Sequence, residues 1–139
     1  MEKRMHEIVS VMRVKDSFLR WLNPTEFEVK EGYCRIVMPV REDFLNHIDI
    51  VHGGITFSLA DAAFAYASNA HNRIAVALNV SISFPIAAFR GDVLTAEAQE
   101  DFISEKIAFY RVTVKNQKNE LVAIFNGTVY RKKNTHVPE

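Results

Sequence analysis

Apolar and polar positions change their period several times along the chain, and each change marks an element. Over residues 2–22 apolar residues recur at three/four spacing, first Met5, Ile8, Val9 and Met12, then Phe18, Leu19 and Leu22. That spacing puts them on one face of a helix in two pieces, with Asp16 placed to cap the second. Asn23-Pro24 ends the helical segment. Period two follows: Phe27 and Val29 alternate with Glu26, Glu28 and Lys30. Glu31-Gly32 turns the chain, and Tyr33 to Val40 returns as the second arm of a hairpin, stopping at Pro39.

The run from Asn46 to Ala70 fits neither one-faced pattern. His52-Gly53-Gly54 leads into Ile55, Phe57, Leu59, Phe64 and Tyr66, interleaved with Ala60, Ala62, Ala63, Ala65, Ala67 and Ala70. Alanine and leucine favour helix, and a helix apolar on nearly every side is expected to be buried on nearly every side. Beyond His71-Asn72, Ile74, Val76, Leu78, Val80, Ile82 and Phe84 alternate with Ala75, Ala77, Asn79, Ser81 and Ser83 until Pro85. Strict alternation predicts a strand that lays this whole apolar face on the long helix. Gly91-Asp92 opens a further strand through Val93, Leu94 and Ala96; Ile107 to Val114 alternates again; Asn116 to Glu120 is a hairpin loop; Leu121 to Tyr130 is the last strand. The fold class is therefore α+β, one long central helix wrapped by an antiparallel sheet, with an N-terminal helical segment. No repeat or linker interrupts residues 1–139, which read as one domain with a helical segment at 1–22 and a polar tail at 132–139. That tail, KKNTHVPE, is expected to fray.

Composition narrows the function. Lys+Arg and Asp+Glu both number 17, which argues against nucleic acid as the main partner. The single Cys34 excludes an intrachain disulfide framework; in its alternating segment it reads as a small buried hydrophobe. The start MEKRMHEIV lacks a signal-peptide core, so a cytoplasmic location is expected. The long apolar run is marginal for a membrane span of about 20 residues and carries an acid at its centre, so no membrane role is expected. The five histidines are scattered without a zinc-type constellation, and Ser58 sits in FSLAD rather than in a GxSxG nucleophile motif. Neither a metal nor a cofactor is implied.

What remains is Asp61, a lone carboxylate in an apolar helix. A buried unpaired charge is costly, so it has a partner or a task. A structural aspartate satisfied by nearby hydroxyls is one reading. The other comes from helical geometry: Gly54, Ser58, Asp61, Ala65 and Ser68 share one narrow stripe of small and polar residues. Gly53 and Gly54 fall in the first turn, where backbone N–H groups lack partners and the macrodipole favours negative charge. One helix end is suited to a developing oxyanion and the helix middle offers a base or nucleophile. Within one chain, Gly54 and Asp61 are separated by about 10 Å. A two-fold related antiparallel helix would bring them together, which predicts a homodimer with shared sites.

The chain resembles the hotdog-fold acyl-CoA thioesterases, specifically their phenylacetic-acid-degradation (PaaI-like) branch. The residues that carry the resemblance are Asn46, His52-Gly53-Gly54, Ser58-Leu59-Ala60-Asp61 with Phe64-Ala65-Tyr66-Ala67, Phe84-Pro85, and the Phe89-Arg90-Gly91-Asp92 turn, spread over Asp16 to Arg131. It implies hydrolysis of an acyl-CoA thioester, with CoA as part of the substrate rather than a cofactor. Asp61 would be general base or nucleophile, Gly53 the backbone donor to the carbonyl, Asn46 a loop amide contacting the carbonyl or orienting water, and His52 a loop-ordering residue near the thioester. Gly54, Ser68, Phe84 and Arg90 are further substrate-binding candidates, Arg90 for the CoA phosphates together with Arg131-Lys132-Lys133 and Arg73 behind them. Many relatives carry glycine at the Asp49 position, and some use a helper hydroxyl residue on the strand after the helix, where this chain has Ala77. A non-catalytic acyl-CoA-binding or sensing protein and a hotdog enoyl-CoA hydratase or dehydratase are the competing readings. Aryl-acetyl and medium-chain acyl groups both suit the aromatic residues, and pairing of dimers into a tetramer is open.

Overall fold

A computed structural model describes residues 2–139. Helix α1 (Glu2–Lys15) and the short α2 (Ser17–Leu22) are separated by Asp16, whose carboxylate accepts the Leu19 amide at 3.1 Å as the expected cap. Its other oxygen accepts the hydroxyl of Tyr66 at 2.9 Å, tying the N-terminal helices to the central one. Asn23, left-handed at φ 58°, closes α2.

Strands β1 (Glu26–Lys30) and β2 (Tyr33–Pro39) form the expected hairpin, with Gly32 at φ 70° in the turn. A 3-10 turn at Glu42–Phe44 leads to the central helix α3 (Gly53–Asn69). Then come β3 (Arg73–Ser83), β4 (Val93–Ile103), β5 (Ile107–Lys115) and β6 (Leu121–Thr135). All pair antiparallel in the order β1-β2-β4-β5-β6-β3, so β1 and β3 are the sheet's edges.

The sheet curls around α3. Leu59, Ala60, Ala63, Phe64 and Ala67 are buried against a floor that includes Ile36, Leu94, Ala96, Ala98, Val112 and Phe125. Alanines on both the helix and β4 allow close approach. The ring of Phe64 occupies the space that a side chain on Gly127 would need: a Cβ there would stand 2.6 Å from Phe64. Burying such a ring contributes roughly 1.5–3 kcal/mol.

Three expectations need correction. The apolar face of β3 does not pack as one surface, because register shifts fall between Arg73 and Ala75 and between Ala77 and Asn79. An extra residue turns the alternation over. Val80 and Ile82 face the core, whereas Val76, Leu78 and Phe84 are exposed. Second, α3 is not covered all round: Gly54 is exposed, and Ser58, Asp61, Ala62 and Ala65 are only partly buried.

Third, the segment 132–139 is not a frayed tail. Strand β6 runs on to Thr135, and Val137 is buried. The Asn72 side chain accepts the amides of His136 and Val137 and donates to the Val137 carbonyl at 2.9 Å. His136 Nε2 meets Asn69 Oδ1 at 2.7 Å, so the chain end is clamped onto the end of α3.

Candidate active site

The loop before α3 is built by hydrogen bonds rather than by packing. Asn46 Oδ1 accepts the amides of Ile48 at 3.0 Å and Ile50 at 3.3 Å, forming a tight side-chain-closed turn. Asp49 sits within that turn at φ 63°, the left-handed geometry that explains why glycine also suits this position. The far side of the loop is pinned by bridges Leu45↔Val51 and Ile50↔Phe89, and the His52 amide donates to the Phe44 carbonyl at 2.9 Å.

His52 is therefore the residue before the first turn of α3. Its carbonyl accepts Ile55 and Thr56, but its side chain makes no cap and is exposed. The amides of Gly53 and Gly54 have no acceptor among the described residues, as the first positions of a helix require. Gly53 lies beneath Phe84, whose ring Cζ would stand 3.4 Å from a Cβ there; around Gly54 the space is open. So Asn46, Gly53, Gly54 and Phe84 come together with His52 at one end of α3.

Fixing Asn46 Oδ1 also fixes its amide nitrogen, which donates to nothing among the described residues. Asn46 lines a cavity of about 210 Å³ with Gly53, Thr56, Phe84, Val122 and Ile86. A second groove on the other side of Asn46 runs past Glu42, Asp49, Phe89 and Arg90. Arg90 is exposed, with Glu42 at 3.5 Å.

Asp61 lies two helical turns further along, partly buried on the uncovered stripe, with no hydrogen-bond or ion-pair partner among the described residues. Burial pushes its carboxyl above the usual aspartate range. The hydroxyls that a structural role would use are committed elsewhere: Ser58 donates to the Gly54 carbonyl at 2.7 Å and Ser68 to the Ala65 carbonyl at 3.1 Å. Ser68 is also 1% exposed, so it drops out as a substrate-binding residue. Ala77, exposed on β3, offers no hydroxyl.

Two other candidates are withdrawn on the same grounds. The Arg73 guanidinium donates to the carbonyls of Lys132 and Arg131 and pairs with Glu105. That of Arg131 donates to the Ser104 carbonyl at 2.7 Å. Both hold the sheet's end together, leaving Arg90, Lys132 and Lys133 as the exposed cations of the set.

Thr56 is the residue that the sequence pattern does not mark. It is 2% exposed and lines the cavity beside Gly53. The only signal for it is a hydroxyl three positions after Gly53, on the same helix face, in an otherwise apolar GITF.

An uncovered carboxylate and an open helix start on one long helix, inside a curled antiparallel sheet, agree with what known proteins show. The thioesterase superfamily profile matches residues 49–123. The chain belongs to the thioesterase superfamily. It is a thioester hydrolase of hotdog fold within that family's PaaI-like branch. Over 127 residues it is 43% identical to a protein of Archaeoglobus fulgidus, covering 91% of this chain and 82% of the relative. It is 37% identical to the acyl-coenzyme A thioesterase PaaI of Escherichia coli over 120 residues, 86% of either chain. The solved structure of the E. coli PaaI protein superposes with a TM-score of 0.91 at 34% identity, over 96% of both chains. A Streptococcus mutans protein solved bound to acetyl-CoA superposes with a TM-score of 0.75 at 25% identity, over 79% of this chain and 91% of that one. Among the described residues no helix is long and apolar enough to cross a membrane.

Proposed function

We propose that the protein hydrolyses the thioester of a small aryl-acetyl-CoA or medium-chain acyl-CoA, giving free acid and CoA. It does so as a homodimer whose two sites each take parts from both copies. The observation that carries this reading is the partnerless Asp61 carboxylate on the uncovered stripe of α3, out of reach of the open amides of its own Gly53 and Gly54. A two-fold related α3, running antiparallel, supplies those amides.

The edge strand β3 supports such pairing. It is 11 residues long, unpaired on its outer side, and exposes Val76 and Leu78. An unpaired apolar edge is a template for another strand. The outer sheet face carries Phe102 and Phe109, with ring centroids 5.2 Å apart, and Tyr130, a surface on which two dimers can pair.

In this reading the acyl carbonyl accepts the Gly53 amide, assisted by the Asn46 side-chain N–H. Asp61 of the other copy either takes a proton from water or attacks the carbon itself. The tetrahedral oxyanion forms against the helix start, where one donor contributes about 2.7–4 kcal/mol to the transition state in comparable sites. Collapse expels the CoA thiolate, leaving the free acid where water attacked; where Asp61 attacked, water then hydrolyses the acyl-aspartyl anhydride to free acid and restores the carboxylate. Phe84 walls the acyl pocket, His52 orders the entrance, and Arg90, with Lys132 and Lys133, faces the CoA phosphates. No cofactor takes part, and the free Cys34 suits a reducing cytoplasm.

CoA as the thiol is supported by the names of relatives: the E. coli protein is an acyl-coenzyme A thioesterase and the S. mutans structure holds acetyl-CoA. The test is release of free thiol from a panel of acyl-CoAs. Turnover that vanishes in Asp61→Asn supports the proposal; binding without turnover by the wild type overturns it.

A further inference from the structure

The cavity beside Gly53 is not uniformly apolar, and its one buried hydroxyl has no structural use. Thr56 lies one helical turn after Gly53, at the three-residue spacing that places two residues on the same face. It is 2% exposed. Its hydroxyl has no hydrogen-bond partner among the described residues. No fully enclosed polar side-chain atom there lacks a partner, so this oxygen reaches the cavity that Thr56 lines. A threonine in a helix commonly satisfies itself on the carbonyl four residues back, as Ser58 does on Gly54, but Thr56 makes no such bond to the His52 carbonyl, which takes only the amides of Ile55 and Thr56.

Apart from Asn46 and Gly53, the walls of this cavity are apolar, among them Ile50, Val51, Phe84, Ile86, Ala88 and Val122. A hydroxyl left unpaired among such walls costs free energy unless something brought into the cavity bonds to it. We propose that Thr56 is a specificity residue that selects an acyl group bearing a hydroxyl or ketone oxygen on its second or third carbon. The proposal rests on the thioesterase reading above, with the carbonyl held at the Gly53 amide.

The geometry sets both limits. Side chains three apart on a helix have Cβ atoms about 5–6 Å apart, and each leans toward the helix start. Thr56 therefore covers the surface just behind the Gly53 amide and reaches a substituent two or three bonds from the carbonyl carbon. A cavity of about 210 Å³ holds a compact acyl group, not a long chain. Against an unsubstituted chain the same hydroxyl stays unpaired, so selection comes from both the bond gained and the desolvation left uncompensated.

The test compares kcat/KM for 3-hydroxybutyryl-CoA and butyryl-CoA in the wild type, Thr56→Val and Thr56→Ser. Valine keeps the shape and removes the hydroxyl; serine keeps the hydroxyl. The wild type is expected to prefer the hydroxylated ester about tenfold, the worth of one net hydrogen bond. Thr56→Val should bring the ratio to about one and Thr56→Ser should keep it. Equal ratios in wild type and Thr56→Val overturn the proposal, as does turnover confined to long-chain esters. If no acyl-CoA at all is turned over, the thioesterase reading fails by itself. The role of Thr56 is then read from calorimetry with the paired non-hydrolysable thioethers, where equal affinities in the wild type overturn it.

Discussion

The ring of Phe84 lies directly over Gly53: a methyl group there would come to 3.4 Å from Cζ and 3.7 Å from both Cε atoms. Gly53 is in the first turn of α3 with an ordinary backbone conformation, so an alanine folds there without strain. The methyl would occupy the slot through which a carbonyl approaches the free amide. Gly53→Ala is expected to melt within a degree or two of wild type while kcat/KM falls about 10²-fold, the cost of displacing a reacting group by an ångström or so. Comparing calorimetric Tm with steady-state kinetics checks it; a large loss of stability would mean that the glycine serves folding.

Asn46 does two things that substitution can separate. Its Oδ1 closes the loop by accepting Ile48 and Ile50, while its Nδ2 is free beside the cavity. Asn46→Asp keeps the acceptor and loses the donor, so it should leave Tm nearly unchanged and cut kcat about 10²-fold or more, as loss of an oxyanion donor does. Asn46→Ala removes both and should also destabilise, by about 1 kcal/mol or less per bond lost, since the Ile48 bond is exposed and the Ile50 bond only partly buried. Parallel losses of stability in the two variants would show that only the loop matters.

Much of this arrangement was legible in the chain before any coordinates, because local chemistry dictated it. Asp16 before an apolar helical group, Gly32 between two alternating runs, and His52-Gly53-Gly54 before a run of alanines each have one economical conformation, and each adopts it. Asp61 stood out because nothing near it in sequence satisfies a charge. The failures are tertiary. The inserted residue in β3 depends on its pairing with β6, so Val76 and Leu78 gave no local sign that they would face outward. The clamp of Asn69 and Asn72 on His136 and Val137 joins residues more than 60 positions apart. Arg73 and Arg131 looked like phosphate ligands, but hydrogen bonds to main-chain carbonyls hold them.

The environment of Asp61 fixes the sign of two pH effects. Burial raises its carboxyl above the ordinary aspartate value. As a base or nucleophile it must be ionised, so kcat/KM should rise with pH through an apparent pKa above the unperturbed value of about 3.9 and be lost below it. A group whose folded pKa is raised favours the protonated folded state, so its contribution to stability is present at low pH and lost as pH rises through the folded pKa. Asp61→Asn, which stays neutral, should therefore be more stable than wild type at pH 7, with the gain shrinking toward pH 4. The same variant should lose about 10²–10⁴-fold in turnover. Calorimetry across that pH range and a pH–rate profile check both; a variant less stable than wild type at neutral pH would show that the helix start of the other copy stabilises the carboxylate more than burial penalises it.

Asp16 joins capping to packing, and its loss should exceed that of a surface cap. It accepts the Leu19 amide and the hydroxyl of Tyr66, a side chain 2% exposed whose ring stands edge-on to Phe27 at 4.9 Å. Asp16→Ala removes the cap and strands the buried hydroxyl, together costing about 2–4 kcal/mol. Adding Tyr66→Phe should recover part of that by removing the stranded group. Urea denaturation of the two single variants and the double variant measures the coupling; strict additivity would mean that the bond contributes nothing.

Sharing of sites between copies is decided by complementation. Gly53→Val blocks the helix start and Asp61→Asn removes the carboxylate, so each variant alone should be inactive. Where a site takes its helix start from one copy and its carboxylate from the other, a mixed dimer contains one site in which both parts are intact. The second site of that dimer carries both defects. Random reassociation of equal amounts makes half the dimers mixed, so activity should return to about a quarter of wild type. If each chain supplied both parts of its own site, every site in every dimer would carry a defect and nothing would return. Unfolding and refolding the two variants together, with separately refolded samples mixed afterwards as control, gives the comparison. Recovery only on co-refolding places the carboxylate of one copy at the helix start of the other, and absence of recovery removes the shared site.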